Sequence, residues 1–359
     1  MKGSIVSVEE RLRGMVRREL PGVQYVAVSS SRVVVDAAFG VRDVSTGMPM
    51  ERATLNMAYS TTKVITALAV MQLVDRGRIA LDEPLSHHYA AHPYGEGVTI
   101  RSLLAQTSGV PNPMPLDWFS LEGEVLDRDA KLGALLREHP KLAHPPGSKY
   151  AYSNLSYWLL EKAVEGASGT DYGEYVEREI LAPLSIAPAD ARFSPGGARD
   201  LATGHSRRFT AMNLFVQWMS PREYWVEACG SWSRTARVVP HGRGYGGLFT
   251  NATTLGRVLA DLLAPESKLI GPASKESMFT RQTTLRGKPL DVTLGWVIGD
   301  LEGCRYFGKQ GGGLGFHGNL RIYPDRGFAT VLLANRTELS PGPIDARSDE
   351  IDRALLSAG

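Results

Sequence analysis

One stretch limits what this chain can become: Met57 to Gly77, MAYSTTKVITALAVMQLVDRG. Val64, Ile65, Ala67, Leu68, Ala69, Val70, Met71, Leu73 and Val74 leave almost no polar stripe on it. A helix that is apolar on every side has to be buried, so other elements must surround this one. Gly77 stands where a C′ residue would end it. Its N-terminal end carries Ser60 and, three residues on, Lys63. If the helix starts near Tyr59, the two share a face one turn apart, and the serine hydroxyl lies at the positive end of the helix dipole. The expectation is a core helix with a Ser/Lys pair at its exposed tip.

At 359 residues the chain exceeds what one hydrophobic core usually serves, so two structural units are expected. Residues 6–19 read as a helix. Val23–Ser29 and Arg32–Gly40 read as a strand pair across a Ser-rich turn. After Asp82-Glu83-Pro84 the character changes. Ile100–Leu104, Ala130–His139, Ser156–Gly166 and Tyr172–Leu184 read as helices, with few strand signals between them. Pro111-Asn112-Pro113-Met114-Pro115 must be loop. Residues 205–242 gather Phe209, Phe215, Trp218, Tyr224, Trp225 and Trp232, either as a packed loop region or as a pocket wall. Thr253–Leu263 is a helix. Val292–Ile298, Cys304–Lys309, Asn319–Tyr323 and Phe328–Leu333 look like strands, the last two joined by the turn Pro324-Asp325-Arg326-Gly327. Ile344–Leu356 closes as a helix. The fold class expected is α+β: one antiparallel sheet built by residues 1–85 and 243–359, flanked by helices, with a mainly helical unit, 86–242, inserted.

Three short motifs carry the chemistry. A serine hydroxyl is a poor nucleophile until a base takes its proton, and a lysine can be that base only if burial or nearby positive charge lowers its pKa. Ser60-Thr61-Thr62-Lys63 supplies such a pair. Tyr152-Ser153-Asn154 is the only Tyr-x-Asn in the chain. A tyrosine near an ammonium can serve as a phenolate base, and the amide can hold the lysine or a substrate carbonyl. Lys309-Gln310-Gly311, followed by Gly312, Gly313 and Gly315, places a cation beside glycines that would let a substrate backbone approach.

In this order and with their flanks, the motifs resemble the serine β-lactamase and penicillin-binding protein superfamily. The branch is the class C-like one that includes family VIII carboxylesterases and D-aminopeptidases. The matching segments are AYSTTKVITALAVMQLVDRGRIALDEPL, LLAQTSGVPNP, HPPGSKYAYSNLSYWLLEKAVEGASG, GYGGLFTNATTLGRVLADLL and FGKQGGGLGF. The resemblance implies a β-lactamase-like fold, Ser60 as acylated nucleophile, Lys63 as its partner and Tyr152 as general base. Asn154 would be a polar support, Lys309 the third-motif cation, and the N–H groups of Ser60 and Gly312 the oxyanion hole, beside Gly311. Gln310 replaces the threonine of Lys-Thr-Gly, which weakens the case for a β-lactam carboxylate. Gln106 stands where relatives often have histidine and reads as structural. With Tyr152 in place, Lys63 is expected to act as a shared cation that lowers the tyrosine's pKa.

Other classes fit less well. Forty basic against 38 acidic residues, net +2, give no footprint for nucleic acid. Cys229 and Cys304 make neither a disulfide framework nor a metal motif, and His87, His88 and His92 read as surface residues. Gly313-Leu314-Gly315-Phe316-His317-Gly318 fits G-x-G-x-x-G but precedes a strand, not a helix. His317 could line the pocket or be structural. No G-x-S-x-G elbow occurs. The reading is a cytoplasmic serine carboxylesterase with no cofactor, metal or membrane span, acting on a small-molecule ester. An amide or lactam substrate (a β-lactamase, DD-peptidase or D-amino-acid amidase) is the alternative, and a non-catalytic scaffold the third. The oligomeric state is left open.

Overall fold

The structure, a computed structural model, describes residues 2–113, 118–196, 200–337 and 342–357. Of the expected proline loop, Met114 and Pro115 fall outside these. Helix α1 (Lys2–Arg18) leads into strands β1 (Gly22–Ser29) and β2 (Val33–Gly40). Strand β3 (Asn56–Met57) and a 3₁₀ turn, Tyr59–Thr61, precede α2 (Thr62–Asp75). Every residue of α2 from Thr62 to Leu73 is buried, as the apolar run demanded. Gly77, at φ +64°, takes the left-handed position that ends it.

Next come α3 (Ile100–Leu104), β4 (Phe119–Leu121), α4 (Arg128–Glu138), α5 (Asn154–Ser168) and α6 (Tyr172–Val176). The expected helix 172–184 breaks into α6, a π turn and a 3₁₀ turn. Short strands follow: β5 (Ala191–Arg192) and β6 (His205–Arg207), then, after α7 (Ala211–Met219), β7 (Trp225–Cys229), β8 (Trp232–Thr235) and β9 (Val238–Pro240). They were not legible because none exceeds five residues and their alternation is interrupted by arginines and turn residues. The 205–242 segment is thus a small sheet, β6-β8-β7, carrying one helix.

Strand β10 (Phe249–Thr250), α8 (Ala252–Leu263) and α9 (Pro272–Phe279) lead to β11 (Val297–Leu301), β12 (Cys304–Gly313), β13 (Phe316–Tyr323), β14 (Phe328–Ala334) and α10 (Pro343–Leu356). The expected strand at 292–298 begins only at Val297, because Gly295, at φ +99°, turns the chain just before it. β12 runs on through the glycines to Gly313. The main sheet has the order β11-β12-β13-β14-β1-β2, antiparallel throughout, with Val26 opposite Val331 and Gly311 opposite Gly318. Both ends of the chain build it.

One apolar core runs from sheet residues Val26 and Val331 through Leu68 of α2 to Leu160 of α5. The small sheet β3-β10-β5 ties segment 86–242 to the rest. On the other face, α10 is pinned by buried polar groups: Asp352 accepts from Tyr25, Tyr323 and Arg321, and His317 meets Asp345 at 3.0 Å. His317 is therefore a structural residue of β13.

Candidate active site

The 3₁₀ turn before α2 holds Ser60, and its neighbour Tyr59 has φ +44°, a strained value for a residue with a side chain. Two contacts hold Tyr59 there. Its hydroxyl donates to the Leu314 carbonyl at 2.9 Å, and its ring lies edge-on to Phe119. The close packing of this turn on β12 explains the glycines of that strand. A Cβ on Gly311 would sit 2.6 Å from the Ala58 oxygen and 2.8 Å from the Ser60 nitrogen, and one on Gly313 would meet the Tyr59 ring. At Gly311 the missing side chain makes room for the serine turn itself, where the sequence suggested room for a substrate backbone.

The three motifs converge. Ser60 Oγ lies 2.6 Å from the Tyr152 hydroxyl, and Lys63 Nζ donates to Ser60 Oγ at 3.0 Å. Lys63 also donates to Asn154 Oδ1 at 2.8 Å and to the Tyr245 carbonyl at 2.6 Å, so all three ammonium protons have acceptors. Tyr152 donates to Asn154 Oδ1 at 3.0 Å. Lys309 Nζ stands 5.5 Å from the centre of the Tyr152 ring. Lys309 and Gly311 face the buried side of β12; Gln310 and Gly312 are exposed.

Lys63 is 0% exposed, so the pair is not at an exposed tip: α2 starts inside the protein, and only Ser60 reaches a partly open position. Burial first, and then the charge of Lys309, hold Lys63 well below the ordinary lysine value. Burial pushes Lys309 down to about 8. Burial pushes Tyr152 above the ordinary phenol value, and the Ser60 hydrogen bond only partly opposes it. The expected lowering of Tyr152 by Lys63 is thus reversed, because desolvation disfavours the phenolate and the ammonium alike.

Two supports were legible only as structure or not at all. Gln106, buried and at φ +59°, accepts from Ser153 N at 2.6 Å and donates to the Ser153 carbonyl at 3.1 Å, while its own carbonyl accepts from Ala151 N. It clamps the backbone on both sides of Tyr152. Ser153 caps α5, accepting from Ser156 N. The second support is the loop around Tyr245. Glu161, fully buried, accepts from Gly244 N at 2.8 Å and meets Arg243 at 3.3 Å, and Arg243 also binds Asp171. This network holds the carbonyl that Lys63 touches. A lone glutamate in an amphipathic helix gives no sequence signal for such a role.

Among the described residues no group of three or more His, Cys, Asp or Glu could hold a metal, and no helix is long and apolar enough to cross a membrane.

The Beta-lactamase family model matches residues 8–352. Penicillin-binding protein 4* of Bacillus subtilis is 25% identical over 341 residues, covering 93% of this chain and 70% of that one. Protein flp of Staphylococcus aureus is 26% identical over 216 residues, and the match spans only 42% of its length. Among solved structures, D-amino acid amidase from Ochrobactrum anthropi SV3, complexed with L-phenylalanine amide, superposes with a TM-score of 0.83 over 99% of both chains at 17% identity.

Proposed function

The chain belongs to the Beta-lactamase family of serine hydrolases, and from that premise we propose that it is a carboxylesterase working through an acyl-enzyme on Ser60. The observation that carries the reading is the position of Ser60 Oγ, within 3.0 Å of both Lys63 Nζ and the Tyr152 hydroxyl. As Oγ attacks the ester carbonyl, its proton passes to the Tyr152–Lys63 pair. The acceptor is Lys63 as its neutral amine, the form that burial favours, so the Oγ proton ends on Nζ. The carbonyl oxygen becomes an oxyanion held by the Ser60 and Gly312 N–H groups, donors worth about 3–4 kcal/mol each when removed. Collapse breaks the ester C–O bond, the pair returns the proton to the leaving alkoxide, and an acyl-serine remains. Water repeats the sequence and releases the acid.

One feature favours an ester over a β-lactam. Gln310 offers no hydroxyl to a β-lactam carboxylate. A second reading, a D-amino-acid amidase or peptidase, is favoured by the end-to-end likeness to the Ochrobactrum enzyme.

The test is a panel of p-nitrophenyl esters, nitrocefin and D-amino-acid amides, run beside Ser60→Ala, with mass spectrometry after a fluorophosphonate. The expected result is fastest turnover of short esters, abolished in the variant, and one adduct on Ser60. Faster amide turnover selects the second reading. No adduct and equal background rates would rule out both.

A further inference from the structure

We propose that α7 is a docking face for an anionic lipid surface. Four of the twelve large apolar side chains exposed among the described residues fall in this one short segment: Phe209 (82%), Leu214 (59%), Phe215 (50%) and Trp218 (78%). Scattered singly, such residues need no explanation; gathered in a patch, they do. Leu214, Phe215 and Trp218, at i, i+1 and i+4, share one face of the helix, and the Phe215 and Trp218 rings lie 6.4 Å apart. The opposite side is fastened down. Thr210 caps the helix, Asn213 is buried, and Gln217 donates to Ser233 Oγ on β8 at 3.1 Å. Trp225 on β7 donates to Ser220 Oγ at 2.8 Å. The apolar face is therefore presented outward by a rigid support.

Charge selects the occupant. From His205 to Arg222 there is no acidic residue, while Arg207, Arg208 and Arg222 flank the helix at both ends. Arg207 and Arg222 are exposed, and the Arg208 guanidinium lies 4.8 Å from the Phe209 ring centre, folded toward the patch. An apolar helix face with a tryptophan and a basic border is the pattern of a helix lying in a lipid interface. A second copy of the chain fits worse. A two-fold contact would oppose the arginines to one another, and the patch, roughly 500 Å² of side chain, falls short of the ~800 Å² per partner of a stable interface. Docking of this kind requires no spanning helix.

The full-length protein is mixed with phosphatidylcholine vesicles, with and without 30% phosphatidylglycerol, and binding is read by flotation and by quenching of tryptophan with brominated lipid. The expected result is binding to anionic vesicles that weakens with added salt. Phe215→Ser/Trp218→Ser should lose at least tenfold in partitioning. Arg207→Gln/Arg208→Gln should lose about fivefold per arginine on anionic vesicles only. Phe215 and Trp218 are exposed, so the apolar variant should melt with the wild type. Arg207 and Arg208 also donate to the Arg18 and Gly230 carbonyls, so melting of the arginine variant is measured beside its binding, and a loss on anionic vesicles alone is the result that counts. The proposal fails if the wild type ignores anionic vesicles at low salt or if the apolar variant binds as well as the wild type. It also fails if the wild type sediments as a dimer that Trp218→Ser dissolves, which would assign the face to a second copy.

Discussion

Gly311→Ala puts the serine turn under a measurable load. The added Cβ would stand 2.6 Å from the Ala58 oxygen, 2.7 Å from the Thr61 nitrogen and 2.8 Å from the Ser60 nitrogen, where ordinary contacts begin at 3.4 Å. All three neighbours are backbone, so no side chain can swing away. Strand β12 and the turn must separate by about 0.6–0.8 Å, the shortfall in those contacts. Overpacking of this kind costs ~1–3 kcal/mol in stability. The effect on catalysis should be larger, because the same movement parts the Ser60 and Gly312 N–H groups. Misplacing a reacting group by ~1 Å, or losing one oxyanion donor, costs about 10²-fold in kcat. The assay is kcat and KM on the best substrate of the panel, with calorimetric melting alongside. Gly14→Ala is the control: nothing lies within 4 Å of its Cβ position, and in the middle of α1 it should stabilise by up to ~1 kcal/mol. A folded Gly311→Ala enzyme turning over within twofold of the wild type would refute the idea that these glycines exist to seat the nucleophile.

Lys309→Met should raise stability at pH 7 while lowering activity. Folded Lys309 loses its proton near pH 8 and an unfolded lysine near 10.5. Between those values the unfolded chain holds more protons, so wild-type stability rises with pH across that window. The advantage of the variant should therefore shrink by about 3 kcal/mol from pH 7 to pH 10.5, as measured by denaturant titration; a pH-independent difference contradicts the burial argument. Gln106→Leu leaves the buried Ser153 N–H without its acceptor and should cost ~1–3 kcal/mol. It should lower kcat more than it changes KM, because Tyr152 loses its clamp, and wild-type kcat in a folded variant would contradict that role.

The parts of the fold that were legible are those where a long pattern meets a strong physical requirement. The α2 run could only be buried, and the apolar runs 23–29 and 328–333 read as strands; both are so. The candidate site was legible because Ser60 and Lys63 are three residues apart where a 3₁₀ turn runs into α2, and because Tyr152 directly precedes Ser153, the cap of α5. Interactions between distant segments left no trace. Nothing in the run of glycines says that Gly311 will lie against Ser60 and Gly315 against Gly204. The balance of burial against charge was equally hidden. Proximity of Lys63 to Tyr152 suggested a lowered phenol, whereas the depth of the site raises it. Strands of two to five residues in 191–240 were invisible because their pairing, not their composition, defines them.

The sheet made by both ends of the chain has a consequence for biosynthesis. The turn bearing Ser60 is braced by Gly311–Gly313 of β12, and β1 finds its inner neighbour only in β14. At ribosomal speeds of about 5–20 residues per second, the brace emerges roughly 10–50 s after the nucleophile. Until then α2 lacks part of its cover and the proposed oxyanion hole is incomplete. On the proposed mechanism, a chain cut short before β12 should therefore be hydrolytically silent. It also exposes this apolar helix to chaperones and proteases, so strands translated later serve as the quality check on those translated earlier.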